Sequence, residues 1–137
     1  MRKIEHIGIA VKNLDEANKT YQNLFGYTHY KTEEVESEGV RTSFFKCGES
    51  KIELLEATNS ESPIAKYIEK RGEGIHHIAY AVDNIEKEMS RLTKEGFRIL
   101  NETPKRGADN KRVVFLHPKS ANGVLVELCQ DININEN

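Results

Sequence analysis

The chain carries one pattern twice. HIGIAVKNLDEANKTYQNLFGY, from His6 onward, matches HIAYAVDNIEKEMSRLTKEGF, from His77 onward: a histidine, an alternating apolar run, an asparagine, a helical stretch, then glycine and an aromatic residue. Two matching runs this far apart are two copies of one supersecondary module rather than a solenoid array. A module of that length buries little surface alone, so the two are expected to share a core. The expected organisation is one domain over residues 1–137, made of a module at 1–60, a connecting helix at 61–73 and a second module at 74–131.

Within each copy the elements follow from periodicity and capping residues. Ile4 to Val11 alternates as a strand, and Asn13 is placed to cap a helix, with Glu16 in the capping-box position. Leu14, Ala17, Tyr21 and Leu24 fall on one helical face, and Gly26 suits the stop. The second copy repeats this with Ile75 to Val82, Asn84, the stripe Ile85, Met89, Leu92, and Gly96. Shorter apolar segments follow: Tyr27 to Tyr30, Arg41 to Cys47 and Lys51 to Leu55, then Phe97 to Leu100, Val113 to Leu116 and Val124 to Cys129. Each module therefore reads βαβββ, and the fold class is α+β. In SPIAKYIEKRGEG, Ser62 caps, Pro63 opens the helix, Ile64, Tyr67 and Ile68 form its stripe, and Gly72 ends it.

Strand geometry separates two adjacent histidines. Successive strand side chains point to opposite faces, so His6, Gly8 and Ala10 share one face, and Ile7, Ile9 and Val11 the face a helix covers. His77, Ala79 and Ala81 repeat that open face, and His77 rather than His76 is the counterpart of His6. The closing strands add Glu53 in KIELLE and Glu127 in VLVELCQ, each between apolar neighbours. Two histidines and two glutamates form a mixed nitrogen and oxygen set suited to Co, Ni, Mn, Fe or Zn. Four protein ligands in an octahedral sphere leave two positions for a reacting guest.

Composition narrows the partners. The net charge of -2, with signs interspersed, argues against a nucleic-acid or polybasic membrane surface and favours small molecules. Cys47 and Cys129 form no C-x-x-C motif and read as reduced thiols. With neither a signal-peptide pattern nor a membrane-length apolar run, the expected compartment is the cytoplasm.

The paired βαβββ modules with H…E…H…E resemble the vicinal-oxygen-chelate (glyoxalase) superfamily. The strings HIGIAVKNL, IELLE, SPIAKYIEKRGEGIHHIA and FLHPKSANGVLVELCQ resemble the methylmalonyl-CoA epimerase family within it, over nearly the whole chain. That resemblance implies a cupped, open barrel around a metal, in a homodimer, with His6, Glu53, His77 and Glu127 as ligands. Cobalt is the first choice of ion, with Mn, Ni or Zn as alternatives. It further implies interconversion of (R)- and (S)-methylmalonyl-CoA by C2 proton abstraction through a metal-stabilised enolate. Glu127 is the first candidate for the base. Some relatives carry glutamine where this chain has Glu53, and some carry a second glutamate shortly after the Gly-Val of the third strand, where this chain has Arg41 and Thr42. A two-base scheme using Glu53 and a one-base scheme both stay open at this point.

Other polar residues have weaker claims. Pro118, Lys119 and Ser120 form a turn in which Lys119 and Ser120 could hold the substrate carboxylate or a CoA phosphate. KRGADNKR, Lys105 to Arg112, reads as a solvated loop, KTEEVESEG as an exposed connection, DININEN as a fraying end, and His29, His76 and His117 as structural or surface residues. The alternatives to an epimerase are a glyoxalase I type lactoylglutathione lyase and a non-enzymatic small-molecule binding protein on the same fold. An iron-dependent ring-cleaving dioxygenase fits less well, since its triad needs no fourth ligand.

Overall fold

The computed structural model describes residues 1–132, and the expected fraying beyond that point lies outside the described residues. The strands are β1 (Lys3–Ala10), β2 (Lys31–Val35), β3 (Val40–Cys47), β4 (Ser50–Ala57), β5 (Gly74–Ala81), β6 (Lys105–Gly107), β7 (Lys111–Leu116) and β8 (Val126–Asp131). The helices are α1 (Leu14–Phe25), α2 (Pro63–Arg71) and α3 (Ile85–Lys94), with short 3-10 turns at Glu36–Glu38, Ala108–Asn110 and Pro118–Ala121. The fold class is α+β, and the described residues form two compact units: His6–His76, and Met1–Glu5 with residues 77–132.

In the unit His6–His76 the strand order is β2-β3-β4-β1, with β1 parallel to β4 and β3 antiparallel to both of its neighbours. A parallel pair needs a crossover, and α1, β2 and β3 lie between β1 and β4 in the chain. The helix starts at Asn13, whose side chain accepts from Glu16 N at 3.0 Å, and ends at Gly26, whose φ of 85° suits a residue without Cβ. Leu14 packs with Val11, Phe45 and Leu54, and Ile9, Ala17, Tyr21 and Phe25 close around them. The expected stripe is corrected at one position: Leu24 is 68% exposed, and Phe25 takes the inward place against Tyr21 and Phe45. On the opposite face, Ile64 of α2 packs with Ala10, Val40 and Leu55, flanked by Tyr67 and Ile68. Ser62 caps α2 by accepting from Ile64 N at 3.1 Å.

The other unit repeats the arrangement as β5-β8-β7-β6, with β5 parallel to β8. Asn84 caps α3 by accepting from Lys87 N at 3.0 Å, and Ile85 and Leu92 pack with Val82, Val114, Leu116 and Leu128. The N-terminal residues join this unit: Arg2 N donates to Ala81 O at 2.9 Å, the Arg2 guanidinium pairs with Asp83, and Glu5 lies 3.7 Å from Lys111. Asp131 closes β8 beside Lys111, and Ile132 N bonds Asn110 O at 3.2 Å.

Two strand expectations shift in register. The segment KTEEV is β2, not a connection, and Tyr27 to Tyr30 precedes it as non-strand chain. β2 is a sheet edge with charged side chains on both faces, so no apolar alternation betrays it. Likewise the strand expected at Phe97 to Leu100 is reduced to one bridge, Ile99 with Leu116, and β6 forms in KRG, within the stretch expected to be a solvated loop. Phe97 and Ile99 pack against the α3 cluster instead, which accounts for their apolar character.

Candidate metal and active site

Register places each glutamate beside its histidine. In the parallel pair of β1 and β4, Gly8 faces Glu53, and His6 Nδ1 lies 3.0 Å from Glu53 Oε2. In β5 and β8, Ala79 faces Glu127, and His77 Nε2 lies 2.9 Å from Glu127 Oε1. In both cases the residue two after the histidine, Gly8 or Ala79, has a side chain small enough to let the carboxylate reach across it. All four residues are at most 6% exposed.

Each Phe-bearing strand adds the same partner. Phe44 faces Glu53 across β3 and β4, and Phe115 faces Glu127 across β7 and β8. Lys31 lies over the Phe44 ring at 4.7 Å, and Lys105 over Phe115 at 5.6 Å; His77 meets the Phe115 edge at 5.8 Å. These aromatic walls and their lysines escaped the sequence reading, although aligning FFKC with FLHP would have exposed the repeated phenylalanine. Glu127 has a further partner: Cys129 donates its thiol to Oε2 at 3.3 Å.

Two more repeated contacts were also missed. Glu56 Oε2 accepts from Leu14 N at 2.8 Å, and Gln130 Oε1 accepts from Ile85 N at 2.8 Å. Each lies three residues beyond its unit's glutamate, so the strand that carries the acid also ties down the first turn of the helix.

The donor chemistry fits a divalent ion. Ligands about 2.1 Å from one ion and at right angles to each other stand about 3.0 Å apart, which is the N···O separation within each pair. Buried imidazole and carboxylate together suit borderline divalent metals. The remaining histidines have other work. His76 packs edge-on against Tyr67 at 5.0 Å, His29 lies against Phe45, and His117 Nδ1 accepts from Lys119 N at 3.0 Å. Lys119 is exposed, and Ser120 Oγ accepts from Arg98 N at 3.0 Å.

Arg41 and Thr42, the two residues after the Gly-Val that opens β3, face opposite sides of the sheet. Thr42 shares the face of Phe44 and Leu55, is fully buried, and its hydroxyl has no hydrogen-bond partner. Arg41 points the other way, toward Asp15 at 3.6 Å and Glu56 at 3.7 Å.

Residues 5–115 match the model of the Glyoxalase/Bleomycin resistance protein/Dioxygenase superfamily. The chain belongs to this superfamily. Within it the chain is closely related to methylmalonyl-CoA epimerases. The mitochondrial methylmalonyl-CoA epimerase of Dictyostelium discoideum is 45% identical over 92% of this chain and 76% of its own length. A hypothetical protein from Bacillus halodurans is 45% identical, with a TM-score of 0.93 over 98% of both chains. A Streptomyces coelicolor methylmalonyl-CoA epimerase variant, solved with 2-nitronate-propionyl-CoA, is 36% identical with a TM-score of 0.92 over 96% of this chain and 95% of that one. The fold is the vicinal-oxygen-chelate fold. Among the described residues, no helix is long and apolar enough to cross a membrane.

Proposed function

We propose that this protein is a methylmalonyl-CoA epimerase that interconverts the (R) and (S) forms at C2. The observation that carries the reading is the repeated, buried His/Glu pair in a chain this similar to epimerases over nearly its full length. His6, Glu53, His77 and Glu127 would together hold the ion, cobalt first, with Mn, Ni or Zn as alternatives. When bound, such an ion supplies Lewis-acid stabilisation of negative charge on oxygen.

The protein's own residues do the proton work. Glu127 takes the C2 proton, the C–H electron pair moves into the thioester as an enolate, and protonation from the opposite face inverts the centre. Thr42 does not ionise in the working range, so Glu53 is assigned the second face. Phe44 and Phe115, the cross-strand neighbours of the two glutamates, would shield the reacting carbon from water. Lys119 and Ser120 are assigned to substrate binding. A homodimer completes the proposal, supported by the family resemblance, and the cytoplasm is its proposed compartment.

The test strips the protein with chelator, restores Co, Mn, Ni and Zn separately, and follows exchange of the C2 proton of methylmalonyl-CoA in deuterated water. Metal-dependent exchange with inversion is expected. No exchange with any of the ions overturns the assignment.

A further inference from the structure

The two glutamates differ in the residue that follows them on the same strand face. Side chains two apart point the same way, so a glutamate can bend along its strand to meet the second residue on. After Glu53 that residue is Leu55, and after Glu127 it is Cys129. Leu55 packs with Ala10, Val40 and Ile64, and its side chain has nothing to donate. The Cys129 thiol donates to Glu127 Oε2 at 3.3 Å, while His77 Nε2 lies 2.9 Å from Oε1.

Packing holds the sulfur in place. Cys129 is 1% exposed and clusters with Ala79 and Val113, and its cross-strand partners are Ala81 on β5 and Val113 on β7. Glu127 is buried as well, and buried carboxylate oxygens need donors. A thiol is a weak donor, but a carboxylate acceptor strengthens the bond. Carboxylates bind cations through one oxygen or through both. A donor fixed on one oxygen favours the first mode.

We propose that Cys129 is a positioning residue for Glu127: its thiol holds Oε2 and leaves Oε1, beside His77, as the atom offered to a divalent ion. This rests on the metal reading of the His/Glu pairs. Groups that orient a metal ligand in this way typically carry about 10- to 100-fold in affinity. A thiol belongs at the lower end of that range. Leu55 gives Glu53 no such tether, so the two carboxylates differ in freedom although their strands match.

Two measurements test it on the full chain, with Cys47→Ser as background so that Cys129 is the one thiol. The first reads the infrared S–H stretch of the metal-free protein. Glu127→Gln should raise its frequency, and Glu127→Ala should raise it further. A band that neither variant moves overturns the proposal. The second measures cobalt affinity by competition with a chelator, together with the cobalt absorption spectrum. Cys129→Ala and Cys129→Val should lose about tenfold in affinity and change the spectrum, whereas Cys129→Ser, which keeps a donor, should recover most of both. Unchanged affinity in Cys129→Ala overturns the proposal. A loss in Cys129→Ser equal to that in Cys129→Ala assigns the effect to packing and overturns it too. If the background protein takes up no cobalt, manganese, nickel or zinc, the metal reading fails and the ligand role with it, while a moved S–H band leaves the thiol tether standing.

Discussion

Glu127 joins His77 through one carboxylate oxygen and Cys129 through the other, at 2.9 and 3.3 Å. Its counterpart Glu53 has His6 at 3.0 Å and, two residues on, Leu55 where Cys129 stands. The two His/Glu pairs are thus alike in donors and unlike in their surroundings.

His77→Ala should remove metal binding and C2 exchange together, by more than the ~10- to 100-fold typical of losing a group behind a ligand. His76→Ala should keep both, since His76 packs on Tyr67. Metal content by elemental analysis and exchange by NMR read the two variants. The reverse ranking would overturn the face assignment.

Glu53→Gln keeps an oxygen donor but cannot carry a proton. The variant should retain metal and go on exchanging the C2 proton of one enantiomer, while inversion falls by about 100- to 10,000-fold. Glu127→Gln should leave exchange of the other enantiomer. Equal loss of exchange for both enantiomers in either variant would point to a single base.

Thr42→Val exchanges a buried, unpartnered hydroxyl for a methyl of similar shape. Stability should rise by about 1 kcal/mol, the lower end of the penalty for an unsatisfied buried group. A urea midpoint that falls would mean that the hydroxyl is satisfied in solution.

Glu56→Ala and Gln130→Ala each free one amide at a helix start, Leu14 N and Ile85 N. Each should cost about 1 kcal/mol, and the effects should add, because the two contacts share no residue. Chemical denaturation of the single and double variants measures this.

Arg112 holds the Glu86 carboxyl below its ordinary value through a side-chain hydrogen bond. A lowered acid pKa stabilises the fold above the unfolded-state value near 4.5, and the benefit disappears as pH falls through the folded value. Glu86 is more than half exposed, so the contribution is at most about 1 kcal/mol. Glu86→Gln should therefore lower the denaturation midpoint slightly at pH 7 and leave it unchanged at pH 2.

The sequence by itself determined the duplication, both Asn-capped helices, the connecting helix with Ser62 and Pro63, and the two His/Glu pairs. All of these are written in local periods: two for a strand, three to four for a helix, and fixed offsets for caps. A parity argument places His77 rather than His76 on the face of Glu127, and the strand register agrees.

Tertiary structure alone decided the rest. β2 and β6 lie on sheet edges, where pairing comes from a neighbour's backbone and leaves no apolar alternation to read. Phe25 displaced Leu24 because Phe45 and Tyr21 offered it a place. Cross-strand register set Phe44 opposite Glu53, Lys46 opposite Lys51, and Thr42 into a dry position. Register depends on contacts between segments far apart in the chain, so no local pattern contains it.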